Sequence, residues 1–313
     1  MTCHLAYAKV NLGLEILGKR PNGYHEVRTI LQQVDLADCL EVSGAPELMI
    51  ECDQLDLANE TNLIMRAART LLGATGCEAG AKIRLTKRIP IAAGLGGGSS
   101  DAATTLLALN ELWRLGLTYE ALAMIARQIG ADVTFFLRGG TALASGIGDE
   151  LESLPTPDLW LTIAVPSSRL VDKTRRLYTA LIPADWSDGR EVARIAAAIK
   201  HGEFSLSWLE ERLSCGPHVC EETEIPPLST ERVRRGASFL PSGFARVARE
   251  IFPEIDGVAA AYERLGVKAA LCGAGPSLIA LHERRKDARR VQEGLAAQGI
   301  EAYAVRTLAN SRG

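Results

Sequence analysis

The sequence predicts an α+β chain of two α/β domains, residues 1–160 and 161–313, and three observations carry the prediction. The N-terminal segment alternates with period two, as a strand does. A glycine-rich loop lies between a short strand and a helix with an apolar stripe. After Pro166 the pattern turns helix-rich with polar interruptions, which places the boundary near residues 155 to 165.

In the first segment Ala6, Ala8, Val10, Leu12, Leu14 and Ile16 share one face, and Tyr7, Lys9, Asn11, Gly13 and Glu15 the other. A half-buried strand is expected. Lys19 to Gly23 is a turn cluster, followed by a second extended stretch from Tyr24 to Leu36. Asn62 to Leu72 has helical spacing, with Thr61 as the expected N-cap. Ile83 and Leu85 mark a short strand that ends at Pro90, and the loop Gly94-Leu-Gly-Gly-Gly-Ser-Ser100 follows. The next helix carries Ala102, Leu106, Leu109 and Trp113 as a stripe, broadened by Ala103 and Leu107. A helix over Tyr119 to Ile129 is stopped by Gly130; Gly139 to Ala144 and Leu159 to Val165 read as strands. Ser214 to Gly243 reads as an exposed excursion, Leu271 to Leu281 as a second glycine-containing apolar segment, and Asp287 to Ala297 as a final helix.

Composition excludes several classes. With 313 residues, 47% hydrophobic and 23% charged, the chain has enough apolar residues for a sizeable core, which excludes disorder as its main state. The uncharged segment Ala269 to Leu281 holds two glycines and a proline and falls short of the ~20 apolar residues of a spanning helix. Lys9 and Glu15 interrupt the N-terminal segment, so no signal peptide is expected. Seven scattered cysteines suit a reducing cytosol better than a disulfide scaffold, and a cytoplasmic protein is expected. A formal charge of −3 argues against nucleic acid as a partner.

The glycine-rich loop is the strongest chemical signal. Four glycines and two serines before a helix let the backbone approach a ligand, and the helix aims its unpaired N–H groups at the loop. That arrangement is a phosphate cradle; the alternative is a flexible turn capped by Ser99 or Ser100. The dinucleotide pattern GxGxxG fails, because Ser99 stands where its last glycine belongs. The loop has no lysine of the Walker type, and the near miss Gly13 to Arg20 has an arginine in place of the metal-binding hydroxyl. On position alone Asp132 is a turn or cap residue and Lys9 a residue of a solvated strand face.

Ala8-Lys9-Val-Asn11-Leu, Gly18-Lys-Arg-Pro-Asn-Gly-Tyr24-His25, the segment from Pro90 through the loop to Asp101-Ala, and Gly130-Ala-Asp132-Val occur in this order. The series resembles the GHMP kinases, the superfamily of galactokinase, homoserine kinase, mevalonate kinase and phosphomevalonate kinase. The Gly-Tyr-His segment is similar to the family of 4-diphosphocytidyl-2-C-methyl-D-erythritol kinases within it. The match is dense from about residue 6 to 150 and thin afterwards.

The resemblance implies a kinase whose N-terminal domain binds ATP and whose C-terminal domain lies on the substrate side, with the active site in the cleft between them. The implied reaction is ATP-dependent phosphorylation of the 2-hydroxyl of the cytidine diphosphate-linked methylerythritol, in the non-mevalonate route to isoprenoids. It implies Asp132 as general base and Lys9 as its partner. Pro90, Ile91, Ala92, Ala93, Gly94, Leu95, Gly96, Gly97, Gly98, Ser99 and Ser100 would cradle the ATP phosphates, and Asn62 and Leu63 would approach the adenine. Asn11, Tyr24 and His25 would contact the substrate, the last two at cytidine. Mg²⁺ would accompany ATP, without a dedicated metal cluster in the chain.

The chain departs from the family's pattern in places. The third loop reads Cys272-Gly-Ala274-Gly-Pro-Ser277, which keeps the glycines and loses two hydroxyls. Cys272 is expected beside the phosphates, where a reducing environment would matter for activity. Ser242 is expected to cap a helix in place of the usual asparagine, and Thr134 stands for a proline. Cys215, His218 and Cys220 lack a fourth zinc ligand, so no metal is expected there. Arg232 to Arg235 and Arg284 to Arg290 read as solvated faces. Two rival readings are another small-molecule kinase of homoserine or mevalonate type, against which the Gly-Tyr-His segment speaks, and a non-catalytic ligand-binding paralogue, against which Lys9 and Asp132 speak.

Overall fold

The computed structural model describes residues 3–168, 170, 172–209 and 240–310. The Cys215/His218/Cys220 set, Arg232 to Arg235 and nearly all of the 214–243 excursion lie outside the described residues.

The first sheet is built on two long antiparallel strands, β1 (Cys3–Lys19) and β2 (His25–Ala45), with β3 (Met49–Cys52), β4 (Gly80–Thr86), β5 (Thr141–Ser145) and β6 (Glu150–Leu154). Its order is β3-β4-β2-β5-β6, β1 pairs with β2, and only β3 and β4 run parallel. Helices α1 (Leu63–Thr75), α2 (Gly97–Leu112), α3 (Tyr119–Ile129) and α4 (Ala131–Arg138) share one core with this sheet, around Leu31, Leu40, Ile83, Leu71, Leu106 and Phe135.

The second sheet starts with β7 (Trp160–Val165) and has the antiparallel order β10-β7-β9-β8, with β8 (Ala270–Leu271), β9 (Leu278–His282) and β10 (Glu301–Arg306). Helices α5 (Lys173–Thr179), α6 (Arg190–His201), α7 (Ala245–Ile251), α8 (Glu254–Arg264) and α9 (Arg285–Ala296) accompany it. A common core closes the two sheets on each other: Ala8, Val10, Leu12 and Ile30 pack with Ile163, Val192, Ile199 and Ile279. Backbone bridges Leu14–Ser242, Ile16–Trp186 and Val34–Thr307 stitch the same seam. No described helix is long and apolar enough to cross a membrane.

Four expectations are corrected. β1 is buried on both faces, since Lys9, Asn11 and Glu15 are each under 10% exposed. Sequence alternation marked these positions as solvated, whereas each is tied to a partner that offsets its desolvation. Glu15, for example, accepts from the Ser187 hydroxyl and the Val192 N–H. α2 is likewise buried around most of its girth, with Ser100, Asp101, Thr104 and Thr105 inside as well as the stripe. Asn62, not Thr61, caps α1, its carboxamide oxygen accepting from Ile64 N. Cys3 and Cys39, from paired strands, are joined by a disulfide, against the expectation of free thiols throughout.

Candidate active site

The site gathers where β1, the α2 N-terminus, α4 and the loop between β8 and β9 meet. Lys9 N donates to Leu95 O at 3.0 Å, so the glycine-rich loop hangs directly on the strand that carries Lys9 and Asn11. The loop turns at Gly96, whose φ of 72° favours glycine. A Cβ there would come within 2.7 Å of the Phe136 ring and 3.0 Å of the Lys9 stem. The missing side chain is therefore what lets β1, the loop and α4 approach.

α2 begins inside the loop, at Gly97, with no side-chain cap. The N–H groups of Gly97, Gly98 and Ser99 form its first turn, where no earlier carbonyl is available to them. Ser100 N already donates to Gly96 O, and Ser100 is buried. Three donors and the positive end of a sixteen-residue helix thus converge on one spot, an arrangement that receives phosphate.

Lys9 Nζ donates to Asn11 Oδ1 at 2.7 Å and lies 3.9 Å from Asp132 Oδ2. Asn11 is fixed in turn, its amide donating to Thr29 Oγ1 at 2.8 Å, and the Thr29 hydroxyl donating to Gly13 O at 2.6 Å. Asp132 sits in the first turn of α4, with its side chain 39% exposed while that of Lys9 is 9% exposed. A partly exposed carboxylate backed by a buried ammonium can take a proton from an incoming hydroxyl.

The third loop packs against the glycine-rich one. Ser277 donates its hydroxyl to Ala93 O at 2.8 Å, and Lys173 donates to Gly275 O at 2.6 Å and Ala92 O at 3.1 Å. Ser277 closes the third-loop pattern read in the sequence, whereas Lys173 escaped that reading, because it opens a seven-residue helix in which only Leu177 is buried. Cys272 is fully buried, and burial pushes its thiol up, away from the reactive thiolate. Ser242 does not cap α7; Phe244 takes the N-cap position and the Ser242 hydroxyl has no partner among the described residues. Thr134 is buried within α4, its hydroxyl equally without a partner.

His25 is buried and its ring lies 5.2 Å from that of Tyr178, which meets Phe244 edge-on at 4.9 Å. Desolvation, with Lys19 nearby, lowers the His25 pKa and favours the neutral ring. Tyr24 stands 61% exposed on the turn before it. Leu63 borders the loop beside Gly98, while both ends of the Asn62 carboxamide are taken by Ile64 N and Leu57 O. Asn62 therefore shapes this wall as a helix cap.

A second buried cluster braces the loop from behind. Lys87 Nζ lies 2.5 Å from Asp38 Oδ2 and 2.9 Å from Asp101 Oδ2, with all three side chains buried. Asp38 also accepts from Arg88 N and Ile89 N, fixing the segment that leads into the loop.

Comparison with known proteins agrees with this architecture. The GHMP kinases N terminal domain matches residues 62–140, and the GHMP kinases C terminal matches 229–301. A 4-diphosphocytidyl-2-C-methyl-D-erythritol kinase of Dehalococcoides mccartyi is 34% identical over 97% of this chain and 97% of its own. That of Enterococcus faecalis is 37% identical over 97% and 98%. A crystal structure of 4-(cytidine 5'-diphospho)-2C-methyl-D-erythritol kinase superposes with a TM-score of 0.74 at 33% identity, over 98% and 99% of the two chains. A homoserine kinase from Cytophaga hutchinsonii, 19% identical over 97% and 96%, shares the fold with a TM-score of 0.65. The chain belongs to the 4-diphosphocytidyl-2-C-methyl-D-erythritol kinase family of the GHMP kinases.

Proposed function

We propose that this chain transfers the γ-phosphoryl group of ATP to the 2-hydroxyl of 4-diphosphocytidyl-2-C-methyl-D-erythritol, giving the 2-phosphate and ADP. The observation that carries the reading is partly exposed Asp132 3.9 Å from buried Lys9, whose backbone holds the loop that opens α2. Asp132 takes the proton of the 2-hydroxyl as its oxygen attacks the γ-phosphorus. Lys9 offsets charge that develops at the reacting centre. The N–H groups of Gly97, Gly98 and Ser99 hold phosphate oxygens, and most of the acceleration comes from in-line placement and charge stabilisation.

Pro90 to Leu95 form the approach to that cradle, and Leu63 an apolar wall for the adenine. Asn11 and His25 meet the substrate, with the neutral His25 ring at the cytosine edge and Tyr24 closing from the turn. Residues 1–160 supply the nucleotide side and 161–313 the opposing wall. No group of three or more metal-ligating side chains stands together among the described residues, so Mg²⁺ would enter on the nucleotide and supply neutralisation of its phosphates when bound.

The test is to incubate the protein with ATP, Mg²⁺ and the cytidine diphosphate-linked substrate, following ADP release and the new phosphomonoester by ³¹P NMR. Turnover on this substrate is expected; turnover confined to homoserine or mevalonate would overturn the reading.

A further inference from the structure

Lys173 enters the site from a direction the mechanism does not use. It opens α5, on the second half of the chain, and reaches across to the glycine-rich loop. Its Nζ donates to Gly275 O at 2.6 Å and to Ala92 O at 3.1 Å. It also lies flush with Gly94, where a Cβ would stand 3.4 Å from Nζ and 2.7 Å from Gly275 O. The two glycine loops thus meet at one ammonium.

One of the carbonyls it joins is not in relaxed backbone: Ala92 has φ 57°, a left-handed conformation that a residue with a Cβ adopts only at a cost. Such a conformation persists where its surroundings over-determine it. Lys173 supplies part of that determination, and the Ser277 hydroxyl on neighbouring Ala93 O supplies another part.

An ammonium has three N–H donors, and the two carbonyls account for two of them. We propose that Lys173 is a further phosphate-binding cation of this site: it clamps the two glycine loops through Ala92 and Gly275, and its remaining donor engages the terminal phosphate of a bound nucleoside triphosphate. The proposal rests on the kinase reading above.

The electrostatics fit this placement. Burial, together with Lys9, lowers the Lys173 pKa to about 8, while Cys272 and Asp132 act in the opposite sense. The charged and titratable groups facing it are therefore Lys9 from β1, Asp132 from α4 and Cys272 from the third loop. A cation crowded by another cation and short of solvent gains most from an arriving anion. Above pH 8 the neutral amine offers no charge to the phosphate, so triphosphate affinity falls as pH rises through that value.

The test measures binding of ADP and of a non-hydrolysable ATP analogue, each with Mg²⁺, by calorimetry across pH 7 to 9. For Lys173→Met, the analogue is expected to bind about tenfold more weakly and ADP less than about threefold more weakly, the loss of one charge-assisted hydrogen bond. Lys173→Arg, which stays charged, is expected to retain the triphosphate preference and to flatten its decline above pH 8. Equal weakening of both nucleotides by Met would reduce Lys173 to a loop clamp and overturn the phosphate contact. A decline unchanged in the Arg variant would also overturn it. If Met does not fold, Lys173→Gln, a neutral donor, serves in the same comparison. Failure of the unsubstituted protein to bind either nucleotide would instead sink the kinase reading.

Discussion

Lys9 donates a 2.7 Å hydrogen bond to the carboxamide of Asn11, and this contact decides where the ammonium stands relative to Asp132, 3.9 Å away. Asn11 is itself held by Thr29, so the cation is placed by a chain of two adjacent strands rather than by its carboxylate partner. Asn11→Ala removes that hold without touching a charge. The expected outcome is a kcat roughly ten- to a hundredfold lower, because misplacing a catalytic group by about 1 Å costs on that order. Steady-state kinetics with both substrates checks it; an unchanged kcat would show that Lys9 does not depend on Asn11.

Asp132→Asn keeps the shape of the α4 turn and removes the base. kcat is expected to fall about 10²–10⁴-fold, the usual range for a positioned general base. Nucleotide affinity should stay within about twofold. A pre-steady-state measurement of phosphoryl transfer, alongside binding of the nucleotide, separates the two effects. A transfer rate equal to that of the unsubstituted protein would remove Asp132 from the chemistry.

Gly273 is the point at which the third loop touches the catalytic strand. A Cβ there would stand 2.5 Å from Asn11 Oδ1, the atom that holds Lys9, and φ is +58°. Gly273→Ala is therefore expected to act as an indirect Asn11 variant, lowering kcat at least about tenfold, with a stability loss of about 1 kcal/mol or more from the left-handed backbone. Kinetics and thermal melting of one preparation check both; a loss of stability alone would mean that the loop moves and Asn11 does not.

How much of this was visible beforehand depended on range. The β1 alternation, the glycine-rich loop and the helix after it are local patterns, and each reads off a dozen contiguous residues. Lys9 and Asp132 became legible only through their order with the Gly-Tyr-His and glycine-serine segments. What stayed hidden was long-range. Lys173 meets Ala92 and Gly275 across gaps of 81 and 102 positions, and Lys87 meets Asp38 across 49. β6, with Glu150 and Glu152, has strand geometry because β5 pairs with it, not because its residues favour a strand. The polar face of β1 was misread as solvated because its polar residues are the site and its brace.

Ala92→Gly relieves a left-handed alanine. Stability is expected to rise by up to about 1 kcal/mol, the relief being partly offset by the freer unfolded chain. Urea denaturation checks it. A measurable loss of stability would mean that the Ala92 conformation carries no strain.

Asp101 supplies a pH prediction. It shares the Lys87 ammonium with Asp38 inside the protein, and one of its oxygens has no partner among the described residues. One cation cannot balance two buried carboxylates. Desolvation is the largest influence on Asp101, and with repulsion from Asp38 it outweighs the attraction of Lys87, raising its pKa to about 7. The folded pKa lies above the unfolded one, so folding favours the protonated form. The stability from this group is complete below the unfolded carboxylate value and is lost as pH rises through about 7. The melting temperature is therefore expected to be lower at pH 8.5 than at pH 6. Asp101→Asn, neutral at every pH and still able to accept from Lys87, is expected to flatten that decline and to match or exceed the unsubstituted protein at pH 8.5. Lys87→Met should do the reverse, stranding two buried carboxylates at a cost of about 3–5 kcal/mol. Melting curves of the three proteins at pH 6 and 8.5 decide the matter: a decline of equal size in the Asn variant would place the titrating group elsewhere.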